Sequence, residues 1–273
     1  MRRLAVLAAS GRELMPACAA LGPVERRRCG ARVYAVRRIG DVDVYVMKTG
    51  MGPAAASDAA RRVLSDVALD AILSTGYVGA LGAADIGDVI VGTDVQDWTS
   101  PQAGTIFHAD AGLLATACGA ADEAAVTWTD GLVATVPRVL CRADEKRTVA
   151  DASGAIAVDM ESAAIAHEAA LKQVPFLMVR AVSDRADETL PMDFNLWLTP
   201  GERLRAMAQL VSRPAMLFAL WQMKRQADQA SQSLTGFFQA WWRLLEQAPA
   251  SPMMPAPALR GATIAEPRSM GAH

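Results

Sequence analysis

Carboxylates follow three β-rich segments of this chain, near the points where each strand should end. They are Glu13, Glu161 and Asp184. Open α/β sheets bind their ligands in the crevice outside the strand ends. Acids in such a crevice can act as general acids or bases, or can stabilise developing positive charge. On pattern alone, helix capping and turn formation explain the same acids equally well.

A charged residue also stands inside the last of these strands. Arg180 interrupts the apolar segment PFLMVRAVS, residues 175 to 183, where an unpaired buried charge would be costly. We therefore expect Arg180 to pair with a carboxylate. If the strands that deliver Glu161 and Asp184 are neighbours in the sheet, these two acids converge.

A glycine-rich segment follows another apolar strand. In AILSTGYVGALGAADIGDVIV, the strand runs into Gly76, Gly79 and Gly82. Glycines let backbone amides approach a ligand closely, but this spacing fits neither the dinucleotide-binding fingerprint nor the P-loop. A tight connection between strands is the alternative interpretation.

Short β-rich runs alternate with alanine-rich helical stretches from residue 4 to about residue 182, a pattern that predicts an α/β sheet covered by helices. The charge runs RRR (26 to 28) and DEKR (144 to 147) are interpreted as solvent-exposed faces. We expect strands over 4–8, 33–39, 42–48, 71–75, 88–95, 155–158 and 175–183. Helices are expected over 53–65, 110–120, 144–152 and 160–172.

Composition limits the classes of protein to consider. With 273 residues, 52% of them hydrophobic, the chain can bury the core of one large domain with an appendage. A net charge of -2 argues against nucleic-acid binding through phosphate neutralisation, so a small molecule is the expected partner. The four cysteines are widely spaced without any CxxC, which predicts no metal site, no disulfide framework and a cytoplasmic protein. No cofactor is predicted.

The chain changes character after residue 200. A helical region over 201–247 carries an apolar stripe, and the Pro- and Ala-rich tail 248–273 is expected to be disordered. The stripe has two interpretations: packing on the domain or in an oligomer interface, or contact of residues 203–246 with a membrane surface. Its members are Leu234, Phe237, Phe238, Trp241, Trp242 and Leu245.

Three segments in order, STGYVGAL...IGDVIV, AVDMESAAIAHEA and VPFLMVRAVSDRADE, resemble signature segments of the purine nucleoside phosphorylase and nucleosidase superfamily. The resemblance is strongest to its methylthioadenosine/S-adenosylhomocysteine nucleosidase branch and covers residues 3 to 190. It implies a three-layer α/β/α sandwich around a mixed, partly closed sheet, with residues 1–200 as the catalytic domain. It also implies a homo-oligomer that cleaves the bond between a ribose carbon and a purine nitrogen.

The resemblance also implies roles for individual residues. Met160 and Glu161 stand where the family holds the ribose hydroxyls, Asp184 where it protonates the departing base, and Glu13 where nucleosidases position the attacking water. Asp159 is interpreted as a structural or capping acid beside Glu161. The other predicted substrate-binding residues are Gly79, Tyr77, Ser183 and Arg180.

The nucleophile is predicted from the residues that replace a phosphate site. Phosphorylases of the family hold phosphate with two arginines, and the corresponding places here read ASGRE and ST. Ser74 takes the place of one arginine, and Glu13 would repel phosphate, so water is the favoured nucleophile. Arg12 remains an alternative ligand for an anion.

The substrate prediction uses a narrower resemblance. GAIAVDMES, a shortened middle region and PMDFNLWL followed by arginine-containing helices are similar to the hopanoid-associated phosphorylase group. That group is implied to remove adenine from adenosylhopane, a lipid-linked nucleoside, so a location at the inner face of the membrane is expected. The alternatives are a soluble methylthioadenosine/S-adenosylhomocysteine nucleosidase and a catalytically silent nucleoside-binding or storage relative.

Overall fold

The structure, a computed structural model, describes residues 1–99, 104–198 and 214–247. Residues 199–213 of the predicted helical region and the tail 248–273 lie outside the described residues. The strands are β1 Arg3–Ala8, β2 Glu25–Cys29, β3 Arg32–Ile39, β4 Val42–Lys48, β5 Ala71–Ala80, β6 Val89–Asp97, β7 Ile106–His108, β8 Trp128–Thr135, β9 Ala157–Asp159 and β10 Phe176–Asp184. The helices are α1 Gly11–Leu21, α2 Pro53–Asp66, α3 Ala111–Glu123, α4 Ala143–Ser153, α5 Ser162–Leu171, α6 Asn195–Leu198 and α7 Pro214–Gln247.

The strands form one mixed sheet that is closed at one end and open at the other. β10 pairs with both β5 and β6, so β5, β10, β6, β8 and β9 form a closed ring. β1, β4, β3 and β2 continue outward from β5 as an open arm, and β7 adds to β6. The expected mixed, partly closed sheet is confirmed.

Helices cover both faces of this sheet. One buried cluster combines residues of the sheet with residues of α1, α3 and α7. A second combines the opposite face of the sheet with the small residues of α2 and α5, including Ala56, Ala60, Ala163 and Ala166. Alanine on these two helices lets them lie close to the strands and to each other. The three-layer α/β/α arrangement is therefore confirmed.

Three strands, β2, β7 and β8, had not been expected from the sequence. β2 contains the arginine run 26 to 28 and is an exposed edge strand, where charge discourages pairing with another chain. The first half of β8 is largely exposed and includes Asp130 and Gly131, residue types that are depleted in strands.

The apolar stripe of α7 is buried. Leu234, Phe237, Phe238 and Trp241 are inaccessible to solvent and belong to the same cluster as α1 and α3. Burial of each such side chain contributes on the order of 1.5–3 kcal/mol. The packing interpretation of this stripe is confirmed. None of the described helices is both long enough and apolar enough to cross a membrane.

Candidate active site

Asp159, the last residue of β9, supplies the N-terminal cap of α5. Its Oδ2 accepts a hydrogen bond from the Ser162 amide at 3.0 Å, and its Oδ1 accepts one from the Thr135 hydroxyl at 2.6 Å. Oδ2 also lies 2.9 Å from Nη2 of Arg180. The expectation that Asp159 is a structural or capping acid is confirmed, and the structure adds a buried arginine as its partner.

Glu161 stands at the start of α5 without capping it, because Asp159 already does so. Its Oε1 accepts a hydrogen bond from the Gly52 amide at 2.9 Å, and its Oε2 lies 3.5 Å from Nη2 of Arg180. Burial raises the pKa of Glu161 from 4.5 to about 7, since it outweighs the attraction of Arg180, and the negative charges of Asp159 and Glu13 add to the shift. This carboxyl group therefore titrates near neutral pH.

Glu13 lies in the first turn of α1, which follows β1. Its Oε2 accepts a hydrogen bond from the Ser10 hydroxyl at 2.7 Å, and its Oε1 accepts one from the Tyr77 amide at 3.3 Å. Oε1 lies 4.0 Å from Nη1 of Arg180. Glu13 therefore reaches from α1 to β5, where the glycine-rich segment begins.

Gly76 on β5 makes room for this contact. A Cβ atom at this position would lie 2.7 Å from Oε1 of Glu13 and 2.8 Å from Nη1 of Arg180. Its φ of +143° is also one that residues with side chains rarely adopt. The glycine is thus required both by its backbone conformation and by the two charged groups beside it.

Arg180 connects the three acids described so far. It is 1% exposed, and besides Asp159, Glu161 and Glu13 it contacts the Tyr77 carbonyl at 3.2 Å through Nη1. The expectation that this buried charge pairs with a carboxylate is confirmed. Three carboxylates around one guanidinium leave this part of the site negative whenever all of them are ionised, which favours a cation and disfavours an anion.

Asp184 is the last residue of β10, and it lies beside Gly79 of β5, the residue that also pairs with β9. Gly79 pairs with Asp184 on one side and with Val158 on the other. β9 and β10 are therefore not neighbours, because β5 lies between them, and the condition under which we expected Glu161 and Asp184 to converge is not met. Oδ2 of Asp184 would lie only 2.9 Å from a Cβ at Gly79, so the carboxylate crosses directly over this glycine.

Lys146 was missed by the sequence analysis and pairs with Asp184. Its Nζ lies 2.5 Å from Oδ2 of Asp184, and the side chain is 1% exposed. The interpretation of DEKR (144 to 147) as a solvent-exposed face is wrong for this residue. α4 turns Lys146 inward while its neighbours Asp144 and Glu145 bind the arginines Arg142 and Arg138 at the surface.

The remaining predicted residues surround these groups. The Ser183 hydroxyl lies within hydrogen-bonding distance of Oδ1 of Asp184, at 2.8 Å, and of the Val78 carbonyl, at 3.2 Å. Met160 is half-buried between Asp159 and Glu161 in the chain. The backbone amide of Tyr77 donates a hydrogen bond to Glu13, and its carbonyl accepts one from Arg180. Their roles in binding substrate remain predictions.

Arg12 does not join the group of acids. Its guanidinium is directed to α7, where Nη2 lies 2.7 Å from Asp228 Oδ1 and 3.3 Å from the Lys224 carbonyl. The Ser74 hydroxyl, which we predicted to replace a phosphorylase arginine, accepts a hydrogen bond from Nη2 of Arg180 at 3.2 Å.

Fold and site together define an α/β protein with acids gathered at the end of a partly closed sheet. The model of the Phosphorylase superfamily matches residues 3–214, and the chain belongs to this family. One similar solved structure is a Neisseria meningitidis 5'-methylthioadenosine/S-adenosylhomocysteine nucleosidase in complex with methylthio-immucillin-A. Its sequence is 20% identical to this chain, the TM-score is 0.70, and the match covers 91% of this chain and 100% of the nucleosidase.

Two Helicobacter pylori proteins have the same fold. Its 5'-methylthioadenosine/S-adenosylhomocysteine nucleosidase is 17% identical, with a TM-score of 0.69, and the match covers 88% of this chain and 97% of the other. The futalosine hydrolase of the same organism is also 17% identical, with a TM-score of 0.69, and the match covers 88% of this chain and 97% of the hydrolase. At these identities the comparison establishes the fold.

Proposed function

We propose that this protein cleaves the N-glycosidic bond of a 5'-modified adenosine with water as the nucleophile. The proposal depends on one observation, the gathering of Glu13, Glu161 and Asp159 around the buried Arg180. Loss of a purine leaves positive charge on the ribose, and carboxylates held at fixed positions stabilise such charge more than they stabilise the neutral substrate. Family membership and the two kinds of nucleosidase among the structural neighbours support this activity.

The roles follow the family's motifs and fit the contacts. Glu161 accepts hydrogen bonds from the ribose hydroxyls and faces the developing charge, with Met160 beside the sugar. Glu13, held by Ser10 and Tyr77, orients the attacking water. Asp184 passes a proton to N7 of the departing adenine, a contribution worth about 10² to 10⁴ in rate.

Electrostatics favours water over phosphate. The guanidinium of Arg180 is already shared among three carboxylates, and Arg12 is engaged with Asp228 on α7. An incoming phosphate would face excess negative charge with no arginine available to it among these groups. Water carries no charge and meets no such barrier.

We further propose adenosylhopane as the substrate. The buried stripe of α7 cannot meet a lipid, but the described part of α7 begins with an exposed apolar pair, Phe218 at 61% and Trp221 at 50%. Their rings stack with centroids 5.9 Å apart, and Arg225 lies over Trp221 at 4.9 Å. Exposed aromatic rings next to a basic side chain are typical of contact with a lipid surface. A soluble methylthioadenosine/S-adenosylhomocysteine nucleosidase is the second candidate, because two neighbours carry that name.

One assay separates these candidates. The purified full-length protein is incubated with adenosylhopane in detergent or with methylthioadenosine, each with and without phosphate, and free adenine is measured. We expect phosphate-independent release with preference for adenosylhopane. A phosphate requirement would contradict hydrolysis, and equal or better use of methylthioadenosine would favour the second candidate. Binding of both nucleosides without release would identify a silent binding protein.

A further inference from the structure

Lys146 is buried, at 1% exposure, beside Asp184. Its ammonium group contacts Oδ2 of Asp184 at 2.5 Å, the Arg185 carbonyl at 2.5 Å and the Glu188 carbonyl at 3.3 Å. An ammonium group has three N–H donors, so all of them are used within the protein. None is left to bind a substrate directly, and whatever Lys146 does in the site, it does through Asp184.

This pairing conflicts with a simple general-acid role for Asp184. Asp184 and Lys146 form a buried ion pair in which each charge is the other's main compensation. An ionised carboxylate has no proton to give to a departing base. The Nζ of Lys146, 2.5 Å from Oδ2, is a proton donor in direct contact with this carboxylate.

We propose, on the basis of the function proposed above, that Lys146 supplies the proton that Asp184 passes to the base. As the C1'–N9 bond breaks, its electron pair stays on the purine, and a proton moves from Lys146 to Asp184 and from Asp184 to N7. The water that attacks C1' releases a proton to Glu13, Glu13 then releases that proton to solvent, and solvent returns a proton to Lys146. The products are neutral adenine and the free sugar, and each group regains its initial charge.

Besides Lys146, the Ser183 hydroxyl contacts the Asp184 carboxylate, at 2.8 Å from Oδ1, and the charged groups around the pair have partners of their own. On the turn after β10, Arg185 pairs with Asp85 at 2.6 Å, and the Glu188 carboxylate is bound by Gln226 at 3.1 and 3.2 Å. On the other side, β5 presents Gly79, which has no side chain. After Lys146 gives up one proton, its amine keeps two N–H groups for the two backbone carbonyls that hold it.

The test compares two substitutions with opposite consequences. In Lys146→Met, Asp184 loses its cation and can hold a proton of its own at low pH, so it acts as an ordinary acid there. We expect the ratio of its kcat/KM to that of the wild type, measured by adenine release, to rise tenfold or more from pH 8 to pH 5. Lys146→Arg keeps the charge but cannot release a proton, so it should remain at least tenfold slower than the wild type throughout.

Controls separate this role from a structural one. Melting temperatures verify folding, Lys172→Met serves as an exposed lysine control, and Lys146→Met added to Asp184→Asn should cause no further loss of kcat/KM. If Lys146→Met does not fold, the kcat/KM of Lys146→Arg alone tests the inference. The inference is overturned if the Lys146→Met ratio is constant across pH, or if Lys146→Arg is within threefold of the wild type.

A measurement without turnover keeps this inference separate from the proposed function. Infrared difference spectra against Asp184→Asn report whether the carboxyl group of residue 184 is ionised. We expect an ionised carboxylate at pH 5 to 8 in the wild type and a protonated acid at the low end of that range in Lys146→Met. A protonated Asp184 in the wild type at pH 7 would overturn the inference. Absence of adenine release from any adenosine would instead refute the proposed function.

Discussion

Glu161 and Arg180 lie side by side in the interior, with Oε2 of the acid 3.5 Å from Nη2 of the guanidinium. Arg180 is shared, however, and its shorter contact of 2.9 Å is to Asp159. Glu161 therefore receives only part of the compensation that a buried carboxylate needs. This is the physical reason that its pKa is raised to about 7 by burial although an arginine is adjacent.

The first prediction concerns activity as a function of pH. If Glu161 must be ionised to stabilise the ribose cation, kcat/KM should fall about tenfold per pH unit below the pKa of about 7. Glu161→Gln should lose about 10²-fold or more in kcat and should no longer show this acid limb. Adenine release measured from pH 5 to 9 tests both points, with the exposed Glu246→Gln as control. An unchanged acid limb in Glu161→Gln would assign it to another group.

Stability should depend on pH in the opposite direction. Because the folded-state pKa of Glu161 is about 7 and its ordinary value is 4.5, the folded protein binds more protons between these two values. The stability from this group is fully present below about pH 4.5 and is lost as the pH rises through 7. Removing the charge in Glu161→Gln should therefore raise the free energy of unfolding most at pH 8, by at most about 3 kcal/mol. Urea unfolding at pH 5 and 8 measures the difference between the two proteins, which should grow with pH.

Substitution of the central arginine should be severe. Arg180→Met leaves Glu13, Asp159 and Glu161 without their shared cation, and breaking a buried ion pair in this way costs about 3–5 kcal/mol. Arg185→Met, five residues later, removes an exposed arginine that pairs with the exposed Asp85, and it should barely change the melting temperature. Thermal unfolding at pH 7 compares them, and similar melting temperatures for the two variants would contradict the central role of Arg180.

Gly76 and Gly82 belong to the same glycine-rich segment but should respond differently to alanine. A methyl group at Gly76 meets Glu13 and Arg180 at less than 3 Å and requires an unfavourable φ, whereas nothing lies within 4 Å of the corresponding point at Gly82. We expect Gly76→Ala to lower kcat/KM by about tenfold or more through displacement of Glu13. Gly82→Ala should stay within about twofold. Equal effects of the two substitutions would contradict a specific role of Gly76 in placing Glu13.

Contact with lipid should depend on the exposed aromatic pair of α7. The double variant Phe218→Gln, Trp221→Gln should reduce flotation with liposomes at least threefold and should keep its activity on methylthioadenosine. Leu171→Gln, at an equally exposed apolar position on α5, is the control. Point substitutions are preferable to truncation at residue 203, because truncation would also remove the buried half of α7. Undiminished flotation would exclude this pair as the membrane contact.

The sequence predicted the central strands and the pairing of Arg180, since apolar runs and an isolated buried charge leave clear patterns. It predicted neither the position of β5 between β9 and β10 nor the role of Lys146, because neither is a local property. Nothing in the run DEKR distinguishes the buried Lys146 from a lysine on an exposed helix face. Burial of the α7 stripe was one of two interpretations, and only the packing against α1 and α3 decided between them.

The closed ring of five strands gives the acids a support that the open arm does not share. No strand of the ring can separate without breaking pairs on both of its sides, whereas β2 and β3 can fray from the edge inward. Amide hydrogens of β5 and β10 should accordingly exchange with deuterium far more slowly than those of β2. Asp184 and Arg180 would then keep their alignment while the outer strands open and close.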